Sequence, residues 1–373
     1  MSIDPNVIER GDFGPDFKWG VSSAAFQTEG SCDADGKGIS IWDEFTRQKN
    51  AIIDGQHANI ACDHYKRYRE DIELIKKLGI PCYRFSISWP RIMPEGEGDI
   101  NSSGILYYND VINCCIENGI EPWITIYHWD LPLALEKRGG WRNRKVVQWF
   151  SAFTEICIIY FGDRVKHWMV MNEPMAFTGA GYFLGIHAPG KTGIRNFLPA
   201  VHHAILAAAE SARTIRKIDP SLQIGITFSC ALIEPYSSSR ADVSAAQRAD
   251  ALANRLFVEP LTGKGYPFSA LSFLTRIKKY MKPGDEENMC FKWDFIGIQN
   301  YTREIVQRSF FTPYLFASLV KAKNRGVPVT SMGWEVYPHA IYQMIRKFQS
   351  YIPQGKLYIT ENGIDDANDT KRE

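Results

Sequence analysis

The 373-residue chain predicts an α/β fold, a (β/α)8 TIM barrel, on three observations. Seven short runs rich in β-branched and aromatic residues recur along it, and long amphipathic stretches separate them. Each run is nearly continuously apolar, as a parallel strand covered on both faces should be, whereas a strand with one wet face would alternate. A doubly wound open sheet shares this alternation of strand and helix, but no G-x-G-x-x-G follows the first run, so its usual nucleotide-binding warrant is absent. Length agrees, since barrels of about 200 to more than 400 residues fold as one domain.

In order, the strand candidates are FKWGVSSA, CYRFSISW, EPWITIYH, HWMVMNE, QIGITFSC, DFIGIQNY and KLYITEN. Between the first two, Asp63 is placed to cap the helix HYKRYREDIELIKKL. There Ile72, Ile75 and Leu78 share a face, and Gly79 followed by Pro81 ends it. Similar helical units run from Ser103 to Gly119 and from Val146 to Gly162. A long helix around AVHHAILAAAESARTIRK, closed by Asp219 and Pro220, and another from near Asp242 fill the next crossovers, with His202 and His203 assigned to packing and surface. The stretch before KLYITEN is longer than a crossover needs, and its MGWEVYPHAIYQMI segment predicts an active-site loop as well as a helix. The sequence ends at DDANDTKRE soon after the seventh run, so the expectation is a single barrel over residues 1–373 that lacks its last βα unit.

Composition narrows the function. Hydrophobic residues are 45% and charged residues 23%, globular values that allow a sizeable core. Lys and Arg number 43 against 42 Asp and Glu, so no sequence-wide field attracts a polyanion, and neither nucleic acid nor an anionic membrane surface is an expected partner. The apolar runs stop short of the roughly 20 residues a spanning helix needs, and MSIDPNVIER lacks the basic start and hydrophobic stretch of a signal peptide. A soluble cytoplasmic protein is the expectation. The eight cysteines include no C-x-x-C pair, which points to reduced, mostly buried thiols. Cys62, Asp63 and His64 have no zinc-ligand spacing; no metal and no cofactor are expected.

In a barrel the chemistry sits where strands end, and these ends are polar. Gln27 and Glu29 follow the first run, Arg84 and Ser88 lie in the second, His128 ends the third, Asn172 and Glu173 the fourth, Tyr301 the sixth, and Glu361 the seventh. Glycosidic cleavage needs two carboxyl groups across the sugar, one to protonate the leaving oxygen and one to attack carbon or activate water; Glu173 and Glu361 are the natural pair. They are expected at the ends of adjacent strands around one cleft, about 5 to 5.5 Å apart, with Glu173 holding a proton near neutral pH. A gap of about 5 to 5.5 Å would mean retention and about 6.5 to 9.5 Å inversion.

The segments MVMNEP and YITENG resemble the two carboxylate motifs of glycoside hydrolase family 1, the retaining β-glucosidases and their relatives. FKWGVSSAAFQTEG, DGKGISIWDEF, YRFSISWPRIMP, YHWDLP, LEKRGGW and MGWEVYP are similar to further family segments, in the family's order, over nearly the whole chain. The resemblance implies that Glu173 is the general acid and base, that Glu361 is the nucleophile, and that Arg84 holds Glu361 ionised and oriented. It implies sugar contacts from Gln27, His128 and Asn172, a Tyr301 contact with the nucleophile, and stacking from Trp129 and Trp334. It also implies a small-molecule β-glycoside as substrate. Two departures stand out: Gln299 replaces the Asn usual in the N-Y-Y segment, and the family's eighth strand, whose Glu and Trp grip the sugar, is not reached.

Each residue also has a plain structural reading. Arg84 could pair with Glu29 or Asp43, His128 could be a satisfied core histidine, and Trp129 and Trp334 could be packing aromatics. Within the enzyme class the rival is a 6-phospho-β-glycosidase, with phosphate ligands in the segment not reached. A thioglucosidase would replace the acid Glu by Gln. From another class, the rival is a truncated, non-catalytic carbohydrate-binding protein.

Overall fold

The computed structural model describes residues 9–365; residues 1–8, part of the segment read above for a targeting signal, and the tail 366–373 lie outside the described residues. All seven predicted runs form strands. The strands are β1 (Gly20–Ser22), β2 (Cys82–Ser86), β3 (Glu121–Tyr127), β4 (His167–Asn172), β5 (Gln223–Ser229), β6 (Leu232–Pro235), β7 (Phe295–Gln299), β8 (Arg303–Arg308), β9 (Ala317–Leu319) and β10 (Lys356–Glu361). Seven of them pair in parallel in the order β1-β2-β3-β4-β5-β7-β10, the sequential order of a (β/α)8 barrel. The other three, β6, β8 and β9, form a small separate sheet that the sequence reading did not anticipate.

Burial on both faces holds for the central strands and fails at the two ends of the sheet. Every residue of β2 and β7 is buried, whereas all three residues of β1 are exposed and β10 is only partly covered. Among the described residues β1 pairs only with β2 and β10 only with β7, so each lacks a neighbour on one side.

Helices cover the outside of the barrel. In His64–Lys77, Ile72 and Ile75 are buried as expected, but Leu78 lies beyond the last turn and points to solvent. Asp63 is not a side-chain cap. Its backbone is left-handed (φ 55°), which turns the carboxylate away from the free N–H groups and toward Lys66 at 3.6 Å. Helices Ser102–Glu117 and Val146–Phe161 match their predicted bounds to a residue or so. The helix expected from Asp242 starts at Arg240, and Ser239 caps it by accepting the Asp242 N–H. His202 and His203 are both buried, not at the surface. On the helix Ile194–Ile218 they meet Asp285 and Tyr266, and the Trp141 carbonyl, respectively.

The barrel interior is layered. At the bottom Cys82, Trp123, Met169 and Phe295 form an apolar plug against Tyr358, with His167 stacked on Trp123 at 3.9 Å. Gly225 in β5 makes room for the Phe295 ring, since a Cβ there would stand 2.2 Å from it. Above the plug, inward positions become polar, beginning with Arg84 and Thr125, whose side chains bond at 2.9 Å. The alternation that buries the plug therefore carries polar groups toward the mouth of the barrel, at the C-terminal ends of the strands. All eight cysteines are free thiols and five are buried. No helix among the described residues is long and apolar enough to cross a membrane.

Candidate active site

Two irregularities in the sheet aim the key side chains. The pairing register shifts between Met169 and Asn172 in β4, and again between Ile359 and Glu361 in β10. A bulge advances one strand by a residue against its neighbour, so Asn172 and Glu361 turn into the mouth of the barrel. Glu173 follows β4 in the left-handed region (φ 43°), with its N–H on the Thr227 carbonyl at 2.9 Å and Pro174 opening the next helix. Such a conformation costs a non-glycine residue about 1–2 kcal/mol. Trp129, two residues past the third strand, shares it (φ 79°).

Glu361 is gripped by three donors. The Arg84 Nη1 and the Gln299 Nε2 both donate to its Oε1, at 2.8 and 2.7 Å, and the Tyr301 hydroxyl donates to Oε2 at 2.7 Å. Arg84 is buried and divides its other donors between Asn172 Oδ1 (2.5 Å) and Thr125 Oγ1 (2.9 Å). The alternative partners fall elsewhere: Glu29 binds Arg91 and Tyr108, and Asp43 binds Lys37 and Ser40. Charge-assisted bonds of this kind fix the plane of a carboxylate.

Glu173 has the opposite environment. Burial, reinforced by the negative Glu361 and only partly offset by Arg84, pushes its carboxyl up to about 8. Glu173 is thus neutral and able to give a proton near pH 7, whereas Glu361 is clamped by its three donors. They do not end adjacent strands, as the sequence reading had it. Two strands, β5 and β7, stand between β4 and β10, so the pair faces across the barrel mouth instead of along one edge.

The remaining predicted residues gather around this pair. His128 Nε2 meets Asn172 Nδ2 at 3.1 Å, and Trp129 Nε1 donates to the Asn172 carbonyl at 2.9 Å. Burial and the Arg84 charge hold the His128 ring well below its ordinary pKa, hence neutral. Trp334 packs beside Tyr301 with ring centroids 5.6 Å apart and planes tilted by 47°. Its loop is pinned by buried Glu335, which binds both Arg303 and Arg325, so the long segment before β10 does carry a loop to the site. Gln27 is the outlier: exposed on the short helix Ala25–Thr28, it joins the others only as a wall, with His128, Trp129, Phe26 and Trp42, of a cleft of about 330 Å³.

Thr125 was missed, and Gln299 was marked only as a departure from the family's Asn; both are polar residues inside otherwise apolar strands, and that interruption was the available signal.

A model described as Glycosyl hydrolase family 1 matches residues 9–373. The chain is 40% identical over 348 residues to Beta-glucosidase A of Thermotoga maritima, spanning 93% of this chain and 77% of the relative. It is 38% identical over 389 residues to Beta-glucosidase 42 of Arabidopsis thaliana, spanning 98% and 78%. The solved structure of the Thermotoga maritima β-glucosidase in complex with deoxynojirimycin superposes with a TM-score of 0.88 at 39% identity, over 93% of this chain and 78% of that one.

Proposed function

The chain belongs to glycosyl hydrolase family 1, and from that premise we propose that it is a retaining β-glucosidase that forms a covalent glycosyl-enzyme intermediate on Glu361. The observation that carries this reading is the contrast between the two carboxyls: Glu361 held by Arg84, Gln299 and Tyr301, and Glu173 buried and neutral.

In the first step Glu173 protonates the glycosidic oxygen while Glu361 attacks the anomeric carbon; the leaving alcohol takes the proton and Glu361 becomes an ester. Oε2 is the natural attacking atom, because among the described residues Oε1 accepts from two donors and Oε2 from the Tyr301 hydroxyl alone. Forming the ester removes the charge that raised Glu173, yet Glu173 has just lost its proton, so it is the base that draws a proton from water in the second step. Water then attacks the same carbon, Glu361 leaves as carboxylate, and Glu173 is protonated again. His128, Asn172 and Gln27 offer hydrogen-bonding groups to the sugar hydroxyls, and Trp129 and Trp334 offer flat faces to its apolar side or to the aglycone.

The stereochemistry of the first-formed product tests the reaction type. With 4-nitrophenyl β-glucoside followed by proton NMR, the β-anomer of glucose should appear first and only later mutarotate. First appearance of the α-anomer would make the enzyme inverting and overturn the reading.

A further inference from the structure

The turn between β8 and β9 holds aromatic side chains in water. It reads SFFTPYLF, and Phe310 is 70% exposed, Phe311 97% and Phe316 46%. The backbone beneath them is firmly tied. Thr312 Oγ1 donates to the Ala317 carbonyl at 2.8 Å and accepts the N–H of the same residue at 3.1 Å, while Arg248 Nε and Nη2 donate to the Leu315 and Phe316 carbonyls at 2.6 and 2.9 Å. Tyr314 and Phe316 stand in the left-handed region (φ 72° and 49°), a conformation that persists in such residues only where surrounding bonds impose it. The rings are therefore presented by a built turn.

Charge around this tip has one sign. The sequence holds no Asp or Glu from Arg308 to Arg325 or from Ser272 to Gly284. The two segments meet at Tyr314, whose ring packs on Phe273 with centroids 5.6 Å apart and lies 5.6 Å from the Arg276 guanidinium. Arg308 covers Phe310 at 4.2 Å, and Lys278 and Lys279 follow Arg276 on the short helix Ser272–Lys279; all four cations are exposed. Asp242 adjoins them, but its carboxylate is taken up by the Arg308 backbone N–H and the Ser237 hydroxyl. A net charge of +1 over the whole chain conceals this local excess.

We propose that the β8–β9 turn and the basic helix Ser272–Lys279 form a peripheral docking surface for a bilayer containing anionic phospholipid. Exposed rings enter the headgroup boundary, and the flanking cations reach its phosphates on their long stems. A second copy of the chain seated on the same patch would set these cations against their own counterparts. A protein partner would need a socket shaped to Phe311, whereas the headgroup boundary accepts any protruding ring. The patch also lies away from the strand edges left unpaired at β1 and β10, because β6 and β8 continue from the C-terminal ends of β5 and β7. It is on the mouth side of the barrel, and the proposal holds whatever that mouth cleaves.

Cosedimentation with sucrose-loaded vesicles tests it. The protein should bind vesicles of phosphatidylcholine with about one third phosphatidylglycerol at least about tenfold more tightly than phosphatidylcholine alone, and high salt should remove the difference. Phe311→Ser and the double variant Lys278→Glu/Lys279→Glu should each weaken binding to the mixed vesicles by about tenfold or more, with thermal midpoints unchanged because these side chains face solvent. Equal binding to both kinds of vesicle, or wild-type binding by Phe311→Ser, would overturn the proposal. So would a concentration-dependent dimer in sedimentation velocity that Phe311→Ser abolishes, without vesicle binding, since the patch would then be a contact between copies of the chain.

Discussion

Glu173 combines burial, a neighbouring negative charge and a strained backbone, and each has a measurable consequence. With its carboxyl at about 8 it is a competent acid below that pH and loses competence above it, so the alkaline limb of the pH–rate profile should fall near pH 8. Glu173→Gln should abolish that limb. It should also cut the rate by about 10²–10⁴ on alkyl glucosides and by much less in the first step on a 2,4-dinitrophenyl glucoside, whose leaving group needs no proton. A limb unchanged in Glu173→Gln would assign the acid elsewhere. At this scale the sequence was legible where a carboxylate ended an apolar run, as at Glu173 and Glu361. Thr125 was not, and Gln299 was visible only as a departure from the family's Asn, because a lone polar residue within a strand does not reveal which partners the barrel will bring to it. The adjacency of the carboxylates was misjudged for the same reason: order along the chain does not say how far round the mouth two strands lie.

The central barrel strands were legible as elements because burial on both faces leaves a continuous apolar run. The small sheet was not. β8 reads REIVQR, charged at both ends, and β9 spans three residues, so neither offers a period long enough to detect. The register shifts in β4 and β10 leave no mark in composition, although they turn Asn172 and Glu361 inward. Packing between strands makes a separate prediction. Gly225→Ala drives a methyl into the Phe295 ring, an overpacking that should cost about 1–3 kcal/mol and lower the thermal midpoint. Since the strain lies in the apolar plug below the site, the pH profile of the folded fraction should be unchanged. A variant as stable as the parent would show that the lower barrel is loosely filled.

Over the whole molecule, buried titratable groups make stability depend on pH in two opposed ways. Glu173 and Asp130, the latter raised chiefly by burial, both lie at about 8, so the folded state keeps protons that the unfolded chain has released. Their contribution is present at low pH and lost as pH rises toward 8, at up to about 1.4 kcal/mol per pH unit for each group. His203, lowered to about 4, and His128, His187 and His202, also lowered by burial, act in the opposite sense: the unfolded chain binds more protons below about pH 6.5, so stability rises with pH up to there. The thermal midpoint should therefore peak at about pH 6.5 and decline by pH 8, with a shallower decline in Glu173→Gln. A midpoint that rises from pH 6 to 8 would contradict the assignment of neutral buried carboxyls. The barrel as a whole was legible from the alternation of runs and helices, whereas this balance depends on burial, which no residue carries in its own identity. The most direct test of the central claim is to trap the intermediate. Incubation with a 2-deoxy-2-fluoro-β-glucosyl fluoride, followed by proteolysis and mass spectrometry, should place one fluoroglucosyl group on Glu361, with labelling abolished in Glu361→Gln; a label on any other residue would contradict the account.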